Sequence, residues 1–280
     1  MSDRNPLSMS APGSSANIGP GFDVLGLALD LRAEVGSGPP PEHARMVEET
    51  HPAFIAHRGL GGTGELWVRS QLPMGRGLGY SGAVRAAASM LAIAQREHDP
   101  LAAHDAEARR EAFLHTADLE GHPDNAGASV YGGLVVTTSD DAVAVPCGLD
   151  LVVVVWIPES TTSTDSSRAR LDPVVSRNDA VLNLRSLSML LLGLAQGDEE
   201  LVARGTADWI HQPTRLEAAP ASRAALEAMM QHGAIGAWLS GSGPTVACFS
   251  HRDQSEQLVG LIDGGEMRVI NIDHIGVTAS

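Results

Sequence analysis

Pro73-Met-Gly-Arg-Gly-Leu-Gly-Tyr-Ser-Gly82 is the stretch on which the reading of this chain turns. It follows Glu65-Leu-Trp-Val-Arg-Ser-Gln-Leu72, which reads as a strand, and runs into Ala83-Val-Arg-Ala-Ala-Ala-Ser-Met-Leu-Ala92, which reads as a helix. Four glycines in a strand-to-helix turn leave backbone N–H groups bare. The helix N-terminus adds a partial positive charge of roughly half a unit. Together they make a socket for phosphate. A plain tight turn is the competing reading of such a segment taken alone, and three further segments weigh against it.

Composition narrows the field first. At 280 residues, 43% of them hydrophobic, the chain is long enough for one large domain or two moderate ones with a proper core, which argues against disorder. The longest apolar run, Leu151 to Ile157, is too short to span a bilayer. Met1 to Ser10 is polar and carries no leader pattern, so a cytoplasmic protein is expected. Cys147 and Cys248, next to or inside strand-like segments, read as buried free thiols of a reducing compartment. The net charge of −15 argues against nucleic acid or an anionic membrane as partner. It reads instead as a solvated acidic surface that aids solubility. All 19 Lys+Arg positions are arginine. No lysine is there to serve as a Walker A cation, Schiff base or general base, so phosphate must be met by arginine, backbone amides and Mg²⁺.

No solenoid-length repeat is present. Ser37 to Pro41 is a loop, and the chain stays polar and weakly patterned to about Thr50. Ala106 to Leu119 reads as a helix ending in a turn at Gly121-His-Pro-Asp-Asn125. Gly132 to Thr138 and Val143 to Val145 read as strands of a hairpin around Asp140-Asp141, and Leu151 to Ile157 as a buried strand. Thr161 to Ser167 is a Ser/Thr loop. Helices are expected over Asp179–Gln196, near Asp198–His211 and over Pro220–His232, then strands over Ala234–Leu239 and Thr245–Ser250. The mixed order favours α+β over a doubly wound parallel sheet. A boundary near Gly148 divides the chain into domains 1–148 and 149–280.

Three segments stand beside the glycine-rich turn. Ser10 to Leu29 sets Asn17 and Asp23 among glycines and small polar residues, where they either form turns or grip an ammonium or hydroxyl. Asp118 to Gly133 carries Glu120, which can ligate Mg²⁺ together with phosphate oxygens. A zinc site on His115, Asp118, His122 and Asp124 is the weaker reading, because the spacing matches no zinc pattern. Trp238-Leu-Ser-Gly-Ser-Gly-Pro-Thr-Val-Ala-Cys-Phe249 is a glycine hairpin or a place where a ligand approaches backbone. Gly77, Gly79 and Gly82 also spell G-x-G-x-x-G, but without the alternating strands and helices of a dinucleotide fold.

In order and content these segments resemble the GHMP kinase superfamily and, within it, the homoserine kinases. The likeness is carried by the Ala-Pro-x-Ser-Ala-Asn-like opening with Gly21-Phe-Asp23, by the phosphate loop, and by Glu120-Gly-His-Pro-Asp-Asn125. Thr164-Asp-Ser-Ser-Arg168 with Leu171, Asp179 to Asn183, His211-Gln-Pro-Thr-Arg215 and the Gly-Ser-Gly-Pro-Thr motif complete it. The resemblance runs from about Ser10 to Phe249.

It implies a two-lobed α+β GHMP kinase fold, the first lobe like ribosomal protein S5 domain 2 and the second ferredoxin-like. It implies transfer of the γ-phosphoryl of ATP to L-homoserine, in threonine biosynthesis, by an enzyme whose partners are small molecules and that allows a homodimer. The phosphate side would use Pro73, Gly75, Arg76, Gly77, Leu78, Gly79, Tyr80, Ser81 and Gly82, with Ser81 and Glu120 on Mg²⁺. Arg168 and Arg215 match positions for the substrate carboxylate, a task suited to arginine forks, and Asp23 the position for its ammonium. Asn17 and Asn125 would orient hydroxyl and amine, and Thr164 would line the same pocket. Phosphoryl transfer asks mainly for positioning and charge, with Asn125 and Arg168 as catalytic groups and Asp124 as a candidate base.

Two positions depart from the pattern: Tyr80 where a first serine is usual, and Asp172 in place of a proline. The stretch from Ala33 to Arg58, near the nucleotide in the family, is short and divergent. Competing functions are a GHMP kinase or decarboxylase for a mevalonate-type acid, a catalytically weak ligand-binding relative, and an NAD-dependent oxidoreductase.

Overall fold

The alanine-rich run after the glycine turn becomes the central helix of the first half of the chain. Ala83, Val84, Ala86, Ala87, Met90, Leu91 and Ile93 are all buried along it, so small side chains let the surrounding elements close in tightly. The computed structural model describes residues 7–280, and most of the Met1–Ser10 stretch read for a leader lies outside the described residues.

β1 (Ser8–Ala16) and β2 (Leu25–Ser37) form a long antiparallel hairpin, with a register shift at Pro12/Gly13. β3 (Arg45–Met46), α1 (Pro52–Gly59) and β4 (Leu66–Ser70) lead to the glycine turn and then to α2 (Tyr80–Glu97). α3 (Ala106–Glu120), α4 (Asp124–Tyr131), β5 (Leu134–Thr137) and β6 (Ala142–Ala144) follow. The second half runs β7 (Val152–Pro158), α5 (Thr164–Arg168), α6 (Arg177–Gln196), α7 (Glu199–Gly205), α8 (Gln212–Glu217) and α9 (Pro220–Gln231). It continues as β8 (Gly236–Leu239), β9 (Val246–Ser250), α10 (Arg252–Leu258) and β10 (Gly265–Ile270), and then β11 (Thr278–Ala279).

The first sheet has the order β11-β1-β2-β4-β3, with β5 on the first residues of β2 and β6 on β5. The second is ordered β10-β7-β9-β8 and is antiparallel throughout. Taking its strands in chain order, that is 4-1-3-2, the split β-α-β-β-α-β arrangement of a ferredoxin-like layer. The α+β reading holds. One continuous apolar core joins Leu25, Leu27 and Met90 of the first half to Val153, Trp238 and Phe249 of the second.

β11 carries the chain back from the second sheet to the first, where Met9 pairs with Ala279 and Ser10 with Thr278. The return is anchored by Asp273, which forms an ion pair with Arg32 and accepts the backbone N–H groups of Ile275 and Gly276 at 2.9 Å. Gly133 N–H donates to Asp273 O at 2.6 Å, and Asp273 N–H to Ala28 O at 3.1 Å.

Four expectations need correcting. The turn expected at 121–125 opens a helix, α4, from Asp124. Its small residues Ala126, Gly127 and Ala128 carry no apolar period to read, yet they are buried against β1, β2 and α2. The Ser/Thr loop contains the helical turn α5, begun by the Ser163 hydroxyl accepting from Ser166 N–H. The helix expected over 198–211 stops at Gly205, and a separate helix begins at Gln212, because the Asp208 carboxylate takes the N–H groups of His211 and Gln212 at 2.8 and 2.6 Å. Cys147 is exposed rather than buried, whereas Cys248 is buried and its thiol is pushed up to about 12 by that burial. Among the described residues no helix is long and apolar enough to cross a membrane.

His57 is fully buried on α1, its Nε2 3.0 Å from Gln95 Oε1 and its Nδ1 without a partner among the described residues. Burial pushes its imidazolium down to about 4, with Arg58 adding in the same direction. The unfolded chain takes up this proton near 6.5 and the folded chain only near 4. Stability is therefore lost as pH falls from 6.5 towards 4. Urea midpoints at pH 7 and pH 5 should show this loss, and His57→Gln should flatten it. An equal slope in the variant would assign the loss to other groups.

Candidate active site

The glycine turn takes its shape from glycines at positions a side chain resists. Gly75, Gly77 and Gly79 have φ of 68°, 77° and 70°. Gly79 is the N-cap of α2 and brings no side-chain cap, so the first N–H groups of the helix are left to face the cleft. Above the turn lies the loop after β8. Ser240 Oγ donates to Gly77 O at 2.6 Å and stands 2.8 Å from Ser15 Oγ, which accepts from Trp238 Nε1 at 2.9 Å. Ser240, the residue before the Gly-Ser-Gly-Pro-Thr segment, thus buttresses the glycine turn, while Gly241 and Ser242 of that segment reach the cleft wall.

All the site residues expected from the sequence line this one cleft: Asn17, Asp23, the turn from Pro73 and Gly75 to Gly82, Glu120, Asp124, Asn125, Thr164, Arg168 and Arg215. The guanidinium of Arg76 donates to Pro158 O, which ties the turn to the end of β7. At the helix end, Ser81 Oγ donates to Glu120 Oε1 at 2.7 Å. Tyr80 leans out of the turn, its hydroxyl 3.1 Å from His51 Nε2. Burial holds the Tyr80 phenol above and the His51 imidazolium below their ordinary values. The residue at the serine position therefore forms a wall between the cleft and the groove beside β3.

At the other end the loop between β1 and β2 is strained. Asn17, Ile18 and Asp23 hold φ of 72°, 48° and 58°, conformations that cost non-glycine residues energy and gather at functional sites. Asp23 and Arg168 face each other as a two-pronged pair, Nη1–Oδ2 at 2.8 Å and Nη2–Oδ1 at 2.7 Å. The sequence assigned these residues to opposite ends of a ligand, and the structure pairs them directly. That hydrogen bond raises the Arg168 value. Arg215 is only 5% exposed. Its Nη1 meets His211 Nδ1 and Gly241 O, both at 3.1 Å, and Asn17 Nδ2 also donates to Gly241 O at 3.1 Å. Burial, and then the nearby Arg168, push the Arg215 guanidinium down to about 10. The Phe22 ring stacks on His211 and has both arginines within about 5 Å of its centroid (5.1 and 5.3 Å).

Between the two ends sits the first turn of α4. Asp124 is buried, and its Oδ1 accepts from Asn125 N–H at 2.7 Å and lies 3.3 Å from His122 Nδ1. Ser14 Oγ donates to Asn125 Oδ1 at 2.8 Å, which fixes the amide. The contact with Asp124 raises the His122 value against the effect of burial. His115 turns away to Ala56 O, so the residues weighed as a zinc set do not converge, and no group of three or more such side chains gathers among the described residues.

Phe22, His122 and Thr162 line the cleft without having been expected there, and Ser14, Ser240 and Arg85 support it. Arg85 alone had a readable signal, four positions after Ser81 on one helix face.

Residues 44–133 match the family described as GHMP kinases N terminal domain, and residues 190–260 match GHMP kinases C terminal. The chain is 37% identical over 274 residues to the homoserine kinase of Bacillus licheniformis, covering 90% of this chain and 87% of that one. It is 34% identical over 271 residues to that of Deinococcus radiodurans, at 89% and 85%. Among solved structures, its fold is shared by a homoserine kinase from Cytophaga hutchinsonii (TM-score 0.84, 24% identity, 100% and 99% covered). The mevalonate kinase of Methanococcus jannaschii shares it less closely (TM-score 0.68, 12% identity, 97% and 99%).

Proposed function

The chain belongs to the homoserine kinase family of the GHMP kinases, and from that premise we propose that it transfers the γ-phosphoryl group of ATP to the side-chain hydroxyl of L-homoserine. The product, O-phospho-L-homoserine, is an intermediate of threonine biosynthesis. The observation that carries the substrate reading is the Asp23–Arg168 pair, with Arg215 beside it, at one end of a cleft whose other end is the glycine turn.

A zwitterion is the ligand such a pair fits. Its ammonium replaces Arg168 at Asp23, and its carboxylate replaces Asp23 at Arg168, so no charge is left unmatched. The side chains of Arg168 and Asp23 are 40% and 32% exposed, and a pair this wet contributes little in itself, so exchange is cheap. Mevalonate has a carboxylate but no ammonium and would leave Asp23 unpaired.

The N–H groups of the turn from Gly75 to Gly82 and the start of α2 would hold the phosphates of ATP. Ser81 and Glu120 offer one hydroxyl and one carboxylate, the sparse protein donor set that suits Mg²⁺ held mainly by phosphate oxygens. Mg²⁺ there supplies charge neutralisation of the β- and γ-phosphates. The homoserine hydroxyl is held near Asn125, whose amide is fixed by Ser14. Asp124 accepts the hydroxyl proton as the hydroxyl oxygen bonds to the γ-phosphorus and the bond from that phosphorus to the bridging oxygen of ADP breaks, ADP being the leaving group, and His122 steadies the carboxylate. Thr164 and Asn17 close the pocket around the backbone of the amino acid.

Residues 1–148 and 149–280 serve as the two domains of this enzyme, with β11 returning to the first. A homodimer and a cytoplasmic location complete the proposal.

The test is ADP release by the purified protein with ATP and Mg²⁺, comparing L-homoserine with mevalonate, L-serine and L-threonine. Turnover with homoserine well above the others is expected. Turnover on mevalonate but not homoserine would replace this substrate. Tight homoserine binding without ADP would mark a non-catalytic relative, with Tyr80→Ser as the first reversion to make.

A further inference from the structure

Arg85 stands one helical turn after Ser81 on α2. Its Nη1 donates to Ser81 Oγ at 2.9 Å and to Glu120 Oε1, the same oxygen that accepts from Ser81. The three side chains close a triangle at the mouth of the phosphate turn. It is largely shielded from solvent: the Arg85 side chain is 18% exposed and that of Glu120 8%. The Ser81 hydroxyl is used as both donor and acceptor, and Glu120 Oε1 takes two protein donors. The two groups that would hold a metal are therefore engaged with each other and with a guanidinium.

Resting on the kinase reading above, we propose that Arg85 closes the Ser81–Glu120 seat to a free divalent cation, so that the seat accepts a metal only when the nucleotide brings it. The argument is one of charge. Without Arg85 the seat presents a carboxylate, which attracts any divalent cation. With Arg85 the seat is neutral and its only mobile partner would be a second cation, which the guanidinium repels. A metal–ATP complex arrives with net negative charge, and the guanidinium and the bare N–H groups of α2 attract it. Once phosphate oxygens surround the metal, Glu120 Oε2 and the Ser81 oxygen need supply little. Arg85 then stays as a fixed cation behind Ser81 and Glu120, in a chain without lysine. Arg85 is a positioning residue in this account, because it acts through Ser81 and Glu120.

The test reads metal binding without turnover. Free Mn²⁺ is counted by electron paramagnetic resonance in titrations of the nucleotide-free protein. Wild type should hold Mn²⁺ only weakly, whereas Arg85→Met should hold it at least tenfold more tightly and Arg85→Lys should restore the weakness. With AMP-PNP added, wild type should take up Mn²⁺ and nucleotide together, and Arg85→Met should bind the pair about tenfold less well. Equal nucleotide-free Mn²⁺ affinity in wild type and a folded Arg85→Met overturns the proposal. Should that variant fail to fold, Glu120→Gln decides: with the seat closed, it leaves weak nucleotide-free binding unchanged, whereas a preformed metal seat would lose affinity. None of these arms requires homoserine, so a failure of the substrate assignment appears separately, in the ADP-release assay.

Discussion

Arg168→Ala should remove most turnover on homoserine while leaving the affinity for Mg-ATP near that of wild type. With the amino acid bound, its carboxylate and Arg168 form a pair that the ligand itself covers, and truncating one partner of a buried hydrogen-bonded charge pair costs about 2–5 kcal/mol, roughly 30- to 4,000-fold in kcat/KM at 1.4 kcal/mol per tenfold. Two consequences add here. The substrate carboxylate loses its fork, and Asp23, held by both Arg168 nitrogens in the resting cleft, is left to pair with the ammonium alone. Arg168→Lys should recover only part of the loss, because an ammonium cannot reproduce two parallel N–H···O bonds. The neighbouring Arg215 is no substitute: it is buried, with Nη1 already on His211 and Gly241. Steady-state kinetics with varied homoserine measures the effect, and near-normal values in Arg168→Ala would remove this pair from the substrate site.

Gly79→Ala should be equally damaging at the opposite end. Gly79 has φ of 70°, a left-handed conformation that an alanine resists. Space is also lacking: an added Cβ would stand 2.2 Å from Ser14 Oγ and 2.6 Å from Ser14 N. Ser14 lies on β1 and cannot retreat without moving the hairpin, and its hydroxyl holds Asn125 in place. One methyl group therefore displaces the helix N-terminus, the phosphate socket and the hydroxyl-orienting amide together. A misplacement of about 1 Å costs on the order of 100-fold in rate, so turnover should fall by at least that much, with a lower unfolding temperature. Gly61→Ala makes a control, since that glycine also has positive φ (79°) but meets nothing within 4 Å. Similar loss of activity in both variants would show that backbone strain, rather than the clash with Ser14, is responsible.

Much of the site was legible because its residues are chemically marked and lie in short runs. Glycines at 75, 77 and 79 in front of an alanine-rich helix can do little else but turn and expose amides. Asn17, Asp23, Glu120, Asn125 and Arg168 sit in runs whose order resembles a known family. What stayed hidden is pairing across long separations. Asp23 and Arg168 are 145 residues apart, Ser14 and Asn125 111, and Ser15 and Ser240 225. A serine carries no mark that says it will support another loop rather than face solvent. α4 was missed for a different reason, since helix periodicity needs contrast between large apolar and polar residues, and Ala126 to Ser129 has none. The break between α7 and α8 depends on the Asp208 carboxylate capping two N–H groups, which reads as an ordinary polar residue in a helix until the backbone is seen.

The return of β11 to the first sheet bears on how the chain comes off the ribosome. Synthesis is vectorial, and domains generally fold as they emerge, the N-terminal one first. Here β1 is made early, but its partner at Thr278–Ala279 and the Asp273 anchor for Arg32 are among the late products. Until they appear, the nascent first half carries an open strand edge, the surface on which chains pair with the wrong partner. The half that holds the phosphate turn thus gains its last strand only after the other half has been translated.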